Sequence, residues 1–210
     1  MQGKAIGSLV ADRPYNQTGV EINTLHTIAK ALLVVPPDIV LHSDIKILLQ
    51  QRKQMMESGT GITMAFAEAL AFGCLVTRLF PEDVAKDSSA GKALSMQAEM
   101  QEHPTVAIRL SGQDCIRGTF NQRHAAIVCQ KTSRLYWQLN NLEVREQAKI
   151  TVCNSNLCEA AVLGFEYGYS LSNEMALTLW EAQFGDFANV VNEIIIISLF
   201  SSSFVIITKI

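Results

Sequence analysis

The run from Ile150 to Ile195 constrains the fold more than any other stretch. ITVCN (150–154) reads as a short strand and LCEAAVLGFEYGYSLS (157–172) as a helix. ALTLWEAQF (176–184) reads as a second strand, and GDFANVVNEII (185–195) opens the next helix. Strand, helix, strand and helix in that order call for a parallel α/β unit, because parallel neighbours need a crossover connection. On the expected helix Leu157, Ala160, Ala161, Gly164 and Phe165 form the packed side, with Ser155 or Asn156 as N-cap. That places Glu159 in the first turn, where the helix dipole favours a carboxylate, so a capping role competes with a chemical one. LWEAQFGDF (179–187) then sets acids beside aromatics directly after the strand.

Upstream, EINTLHTIAKALLVV (21–35) carries Ile22, Leu25, Ile28, Ala29 and Leu32 at helical spacing. Asn23 or Thr24 is placed to cap it, and Pro36 and Pro37 stop it. DIVLHSDIKILLQQRKQMMES (38–58) reads as a second helix whose charged stretch, Asp44 and Lys46 to Lys53, suits solvent. TGITMAFAEALAFGCLVTRLF (60–80) reads as a buried helix around one acid, Glu68. Pairing with an arginine or a helix terminus is the simpler role for it, an interface carboxylate the sharper one. TVAIRLSGQD (105–114) is a strand that ends at Gly112. The segment after it, through residue 130 and with Gln113, Asp114, Arg117, Thr119, Asn121, Arg123 and His124, reads as a loop, equally suited to a structural network or a site. Residues 81–104 read as an exposed, partly helical insertion, and 132–150 as a linker. His26 and His42 have no second ligand at metal spacing.

Composition narrows the function. The 210 residues are 49% hydrophobic with net charge −3, enough for one sizeable core. No basic stripe offers itself to phosphates, so a nucleic-acid partner is not expected. Five cysteines without a CxxC pair suggest neither a disulfide framework nor a zinc site, and a reducing compartment is the simpler setting. The N-terminus lacks a signal peptide's apolar run. IIIISLFSSSFVIITKI at the C-terminus is broken by three serines and falls short of the roughly 20 apolar residues of a membrane span. No nucleotide-binding glycine loop, HExxH or GxSxG motif occurs.

RLSGQD (109–114), RGTF followed by QRHA (117–125), the L-x-E-x-x-V-L-G-F-E-Y-G block (157–168) and LWEAQFGDF (179–187) form a long, nearly contiguous set. AEALAFG (67–73) joins them just upstream. Together they resemble the thiamine diphosphate-dependent decarboxylating component of 2-oxoacid dehydrogenase complexes, in the branch acting on 2-oxoglutarate or 2-oxoadipate. The resemblance runs from about residue 20 to residue 194, leaving out 81–104.

The resemblance implies an α/β, transketolase-like pyrimidine-binding domain, with a mostly parallel sheet flanked by helices, in incomplete form. It divides the chain into a helical connecting segment (1–54), the partial domain (55–194, with 81–104 inserted) and a tail foreign to the family (195–210). It implies that Glu159 is catalytic and hydrogen-bonds N1′ of the cofactor's aminopyrimidine. Phe187 would lie against that ring with Phe184 beside it, though Phe184 also suits the core. Glu181, Asp186, Asp114 and Arg117 would organise the loop or an interface, and Glu166 would serve packing or an interface.

The family's cofactor is thiamine diphosphate with Mg²⁺, but the GDG…Asn motif that holds the metal and the diphosphate occurs nowhere in this sequence. The family's later histidine-rich loop is absent too, and its serine before the glutamate is Cys158 here. These departures suggest a fragment or a mis-spliced gene product. The implied activity is oxidative decarboxylation of a 2-oxoacid with acyl transfer to lipoamide. The implied partners are dihydrolipoyl succinyltransferase, lipoamide dehydrogenase and, if the chain is complete, a second copy. The alternative is an inactive fragment that at most associates with a full-length subunit. The implied setting is the mitochondrial matrix in a eukaryote and the cytoplasm otherwise, with no membrane partner.

Overall fold

In the computed structural model a parallel sheet forms around β2 (Ala107–Gly112). Residues 19–78, 105–142, 144, 146–156, 158–173 and 176–183 are described, together with the backbone of 204–208. β2 lies between β6 (Ile150–Asn154) and β7 (Ala176–Ala182), and β7 pairs in turn with β8 (Phe204–Thr208). Every pairing in this four-stranded sheet is parallel. The chain therefore has the α/β architecture read from its sequence.

The two-residue period of a strand sorts the side chains of β2. Ile108 and Leu110 face a core shared with Ile150, Val152 and Leu179. Over that face pack α1 (Ile22–Leu33) and α3 (Met64–Val76), which contribute Ile28, Leu32, Phe66, Leu70 and Val76. Between them in sequence runs α2 (Ser43–Ser58). It ends at Gly59 in the left-handed region (φ 66°), a backbone state glycine adopts without penalty.

The opposite face carries α4 (Glu159–Ser172), which links β6 to β7. Those two strands flank β2, so the helix crosses β2 on its way. Leu163 packs there against Trp180 and Ala182.

Several local expectations need correction. Neither Asn23 nor Thr24 caps α1; Glu21 takes the N-cap position without a side-chain bond. Ser155 and Asn156 do not cap α4, whose N-cap is Cys158, also without a side-chain bond. The residues just before it serve the loop after β2: Asn154 Oδ1 accepts the Ile116 N–H at 3.0 Å, and the Ser155 N–H donates to the Gly112 carbonyl at 2.8 Å. The packed side of α4 is also rotated from the expected one. Leu163, Glu166 and Ser170 are buried, whereas Ala161, Gly164 and Phe165 are exposed.

Arg52, placed in the solvent-facing stretch of α2, is buried, and its Nη2 donates to the Arg123 carbonyl at 2.9 Å. Residues 126–128, expected in a loop, form β3 (Ala126–Val128), antiparallel to β4 (Leu135–Trp137). The expected linker 132–150 is structured as well. It holds β4, a 3-10 turn (Gln138–Asn140) and β5 (Glu146–Gln147), which pairs with β1 (Thr77–Arg78). Among the described residues no helix is long and apolar enough to cross a membrane.

Candidate functional site

The carboxyl ends of β2, β6 and β7 meet at one edge of the sheet, the usual location of sites in parallel α/β folds. Gly112 closes β2 there with φ 154°. A Cβ at this position would sit 2.7 Å from the carbonyl oxygen of Glu181 on β7. Glycine is thus what lets the two strand ends approach so closely.

The loop that follows turns tightly, with Asp114, Gly118, Asn121 and His124 all at positive φ. It is tied to its surroundings at several points. Cys115 Sγ donates to the Cys153 carbonyl at 2.9 Å. Gln183 Nε2, just past β7, donates to the Gln113 carbonyl at 3.2 Å and to Thr119 Oγ1 at 2.6 Å. Asp114 and Arg117 form an exposed ion pair at 3.5 Å, in keeping with the loop-organising role expected of them.

Glu159 begins α4 beside this loop and is partly buried. Gln113 Nε2 donates to its Oε1 at 3.3 Å. Its other oxygen has no protein partner among the described residues. Phe184 and Phe187, the expected ring contacts, and Asp186 lie outside the described residues.

The other interior carboxylates are held differently. Glu68 on α3 receives Nε and Nη2 of Arg123 at 2.6 and 3.0 Å. Glu181 on β7 lies 2.6 Å from Nη2 of the same arginine. The simpler reading of Glu68, as partner to an arginine, is what the structure contains. Burial opposes the charge on Arg123, but the bonds from Glu68 and the charge of Glu181 outweigh it and raise its pKa above the ordinary value. Burial lowers the pKa of nearby Arg52, which the charge of Glu68 partly offsets. Burial also pushes the Cys115 thiol up to about 12, so it stays protonated and inert.

Two residues that sequence reasoning gave no site role, Arg109 and Ser111, belong to the same neighbourhood. Arg109 on β2 grips Glu166 on α4 through two bonds of 2.7 and 2.8 Å. Its guanidinium also lies 5.4 and 5.0 Å from the ring centres of Phe165 and Tyr169. A cleft of about 360 Å³ opens between α4 and the ends of β2 and β6, lined among others by Arg109, Ser111, Cys153, Asn154, Cys158 and Phe165. The buried Ser111 Oγ has no hydrogen-bond partner among the described residues. The only sequence signal for Arg109 and Ser111 is their alternation with Ile108 and Leu110. It assigns both to the α4 face, but a strand pattern alone does not name the helix residue they meet.

The family described as the pyrimidine-binding domain of transketolase matches residues 85–208. This chain belongs to that family. Within this transketolase-like domain, Glu159 and its loop lie inside the matched span, and so does the whole four-stranded sheet. The chain is also 44% identical over 193 residues to proteins named 2-oxoglutarate dehydrogenase E1 component. Those from Brucella anthropi and Brucella melitensis biotype 2 match over 90% of this chain, and the match covers 17% and 16% of their own lengths. The one from Brucella ovis matches to the same extent, over 16% of its length. The chain thus spans a small part of the relatives it resembles, and all three are bacterial.

Proposed function

We propose that this domain is the pyrimidine-binding part of the first component of a 2-oxoglutarate or 2-oxoadipate dehydrogenase, and that Glu159 is its catalytic carboxylate. The observation that carries the proposal is the state of Glu159. It sits at the carboxyl edge of a parallel sheet, with one oxygen engaged by an amide and the other without a protein partner among the described residues. Such a group can share a proton with a ring nitrogen. The names of the relatives supply the reaction class. When bound, thiamine diphosphate supplies the electron sink for decarboxylating a 2-oxoacid and carries the acyl group towards lipoamide.

The residues present fit that cofactor's ring half. Glu159 would hold N1′ of the aminopyrimidine through its free oxygen and exchange a proton there. Phe187, with Phe184 beside it, would cover the ring face. The unpartnered Ser111 Oγ in the adjoining cleft leaves a further polar group for a bound molecule or water. Mg²⁺ belongs to the diphosphate half, whose motif this sequence lacks. Among the described residues, no group of three or more His, Cys, Asp or Glu is placed to hold a metal ion. The proposal therefore assigns the metal ligands to other parts of the enzyme. Dihydrolipoyl succinyltransferase, lipoamide dehydrogenase and a second copy of the chain are the proposed partners. The bacterial relatives favour the cytoplasm over the mitochondrial matrix.

A second reading, a fragment without activity of its own, draws on the small share of its relatives that the chain spans. The two are separated by measurement on the purified chain. Calorimetric titration with thiamine diphosphate should show saturable binding that weakens at least tenfold in Glu159→Gln. Decarboxylation of 2-oxoglutarate with an artificial electron acceptor should be undetectable for the chain alone. Binding unaffected by Glu159→Gln would refute the role of Glu159, and no binding at all would leave the inactive fragment as the better reading.

A further inference from the structure

We infer that Gln113 is a positioning residue for Glu159, holding one carboxylate oxygen through a neutral amide so that the other stays open to a single ligand bond. This rests on the proposed role of Glu159.

Glu68, Glu166 and Glu181 each face an arginine. At Glu68 and Glu166 the guanidinium engages both oxygens, which leaves neither open to a ligand. Glu159 instead receives one amide N–H, at 3.3 Å. An amide orients a carboxylate without adding a charge, which suits an acid that must both accept and return a proton.

Glu159 and Glu166 are seven residues apart, about two turns, and so lie on one stripe of α4. Their partners, Arg109 and Gln113, are four residues apart on β2 and its continuation. The helix runs back across the strand, so the C-terminal acid of the stripe meets the N-terminal partner and the N-terminal acid meets the C-terminal one. Arg109 and Glu166 therefore fix the rotation of α4 that brings Glu159 to Gln113.

Gln113 is itself held. Its carbonyl accepts from Gln183 Nε2, and the Gly112 carbonyl before it accepts from the Ser155 N–H. The backbone that carries the Gln113 amide is thus anchored from the residue after β7 and from the segment leading into α4.

Nuclear magnetic resonance on the full chain tests this. The side-chain amide pair of Gln113 is identified as the pair missing in Gln113→Met, which keeps the length and loses the donor. In the unsubstituted chain that pair should resonate away from the position of a free side-chain amide and exchange slowly with solvent, and in Glu159→Gln both effects should be lost. A pair at the free-amide position, or one that is unchanged in Glu159→Gln, would overturn the inference. Thiamine diphosphate is the probe for the second arm. Gln113→Met should bind it about three- to tenfold more weakly, the scale of one neutral hydrogen bond. Weakening in Glu159→Gln but not in Gln113→Met sinks the inference and leaves Glu159's role standing. Weakening in neither removes both. If Gln113→Met does not fold, calculated amide shifts identify the pair, and the comparison of unsubstituted chain with Glu159→Gln still decides.

Discussion

Arg109 and Glu166 form a two-point ion pair between the central strand and the helix that crosses it, with contacts of 2.7 and 2.8 Å. The glutamate side chain is 2% exposed and the arginine side chain 18%. Because Glu166 lies two turns beyond Glu159, the pair sets where the first turn of α4 falls. The hydrogen bond to Glu166 raises the Arg109 pKa above its ordinary value.

Removing one partner should therefore cost more than removing both. Arg109→Met leaves a buried carboxylate without its counter-ion and should lose about 3–5 kcal/mol. Combining it with Glu166→Leu should recover most of that loss. Urea denaturation of the two single variants and the double variant closes the cycle. A double variant as unstable as Arg109→Met would show that the pair does more than neutralise charge.

Gly112→Ala should strain the site from the sheet side. The added methyl would meet the Glu181 carbonyl at 2.7 Å, so the ends of β2 and β7 would have to part. A loss of about 1–3 kcal/mol in urea denaturation is expected. Amide resonances of residues 113 and 159 should move with it. Unchanged spectra would mean that the loop is placed independently of this contact.

His124 should make stability depend on pH. Burial holds its pKa below the ordinary 6.5, so the folded state binds this proton less readily than the unfolded chain. The stabilisation is complete above the unfolded value and is lost as pH falls through the folded one. Between about pH 7 and pH 5 the urea midpoint should fall, and His124→Asn should flatten that slope. Asparagine tolerates the positive φ of 48° at this position, so the variant isolates the titration. An equal slope in both proteins would contradict this.

The parallel unit was legible in the sequence because its signals are local. ITVCN and ALTLWEA carry strand composition, and a fourteen-residue helix separates them. That Glu68 would pair with an arginine or a helix terminus followed from one acid in an apolar helix, but which of the two did not. The long-range partners were not legible. Nothing near Glu166 in sequence points to Arg109, 57 residues earlier. The same distance hid the packed side of α4, since Ala161, Gly164 and Phe165 make a plausible apolar stripe until the arginine draws Glu166 inward. Arg52 looked solvent-facing for a similar reason, because its partner is a backbone carbonyl 71 residues away. The β3–β4 hairpin escaped because three-residue strands leave too few alternations to show a period.

The most direct test of the central claim is to observe the ring nitrogen. Thiamine diphosphate labelled with ¹⁵N at N1′ would be added to the full chain and to Glu159→Gln, and its nitrogen resonance followed. The N1′ signal should shift on binding the unsubstituted chain, and that shift should be lost in Glu159→Gln. An N1′ signal that moves equally with both proteins would contradict the assignment of Glu159.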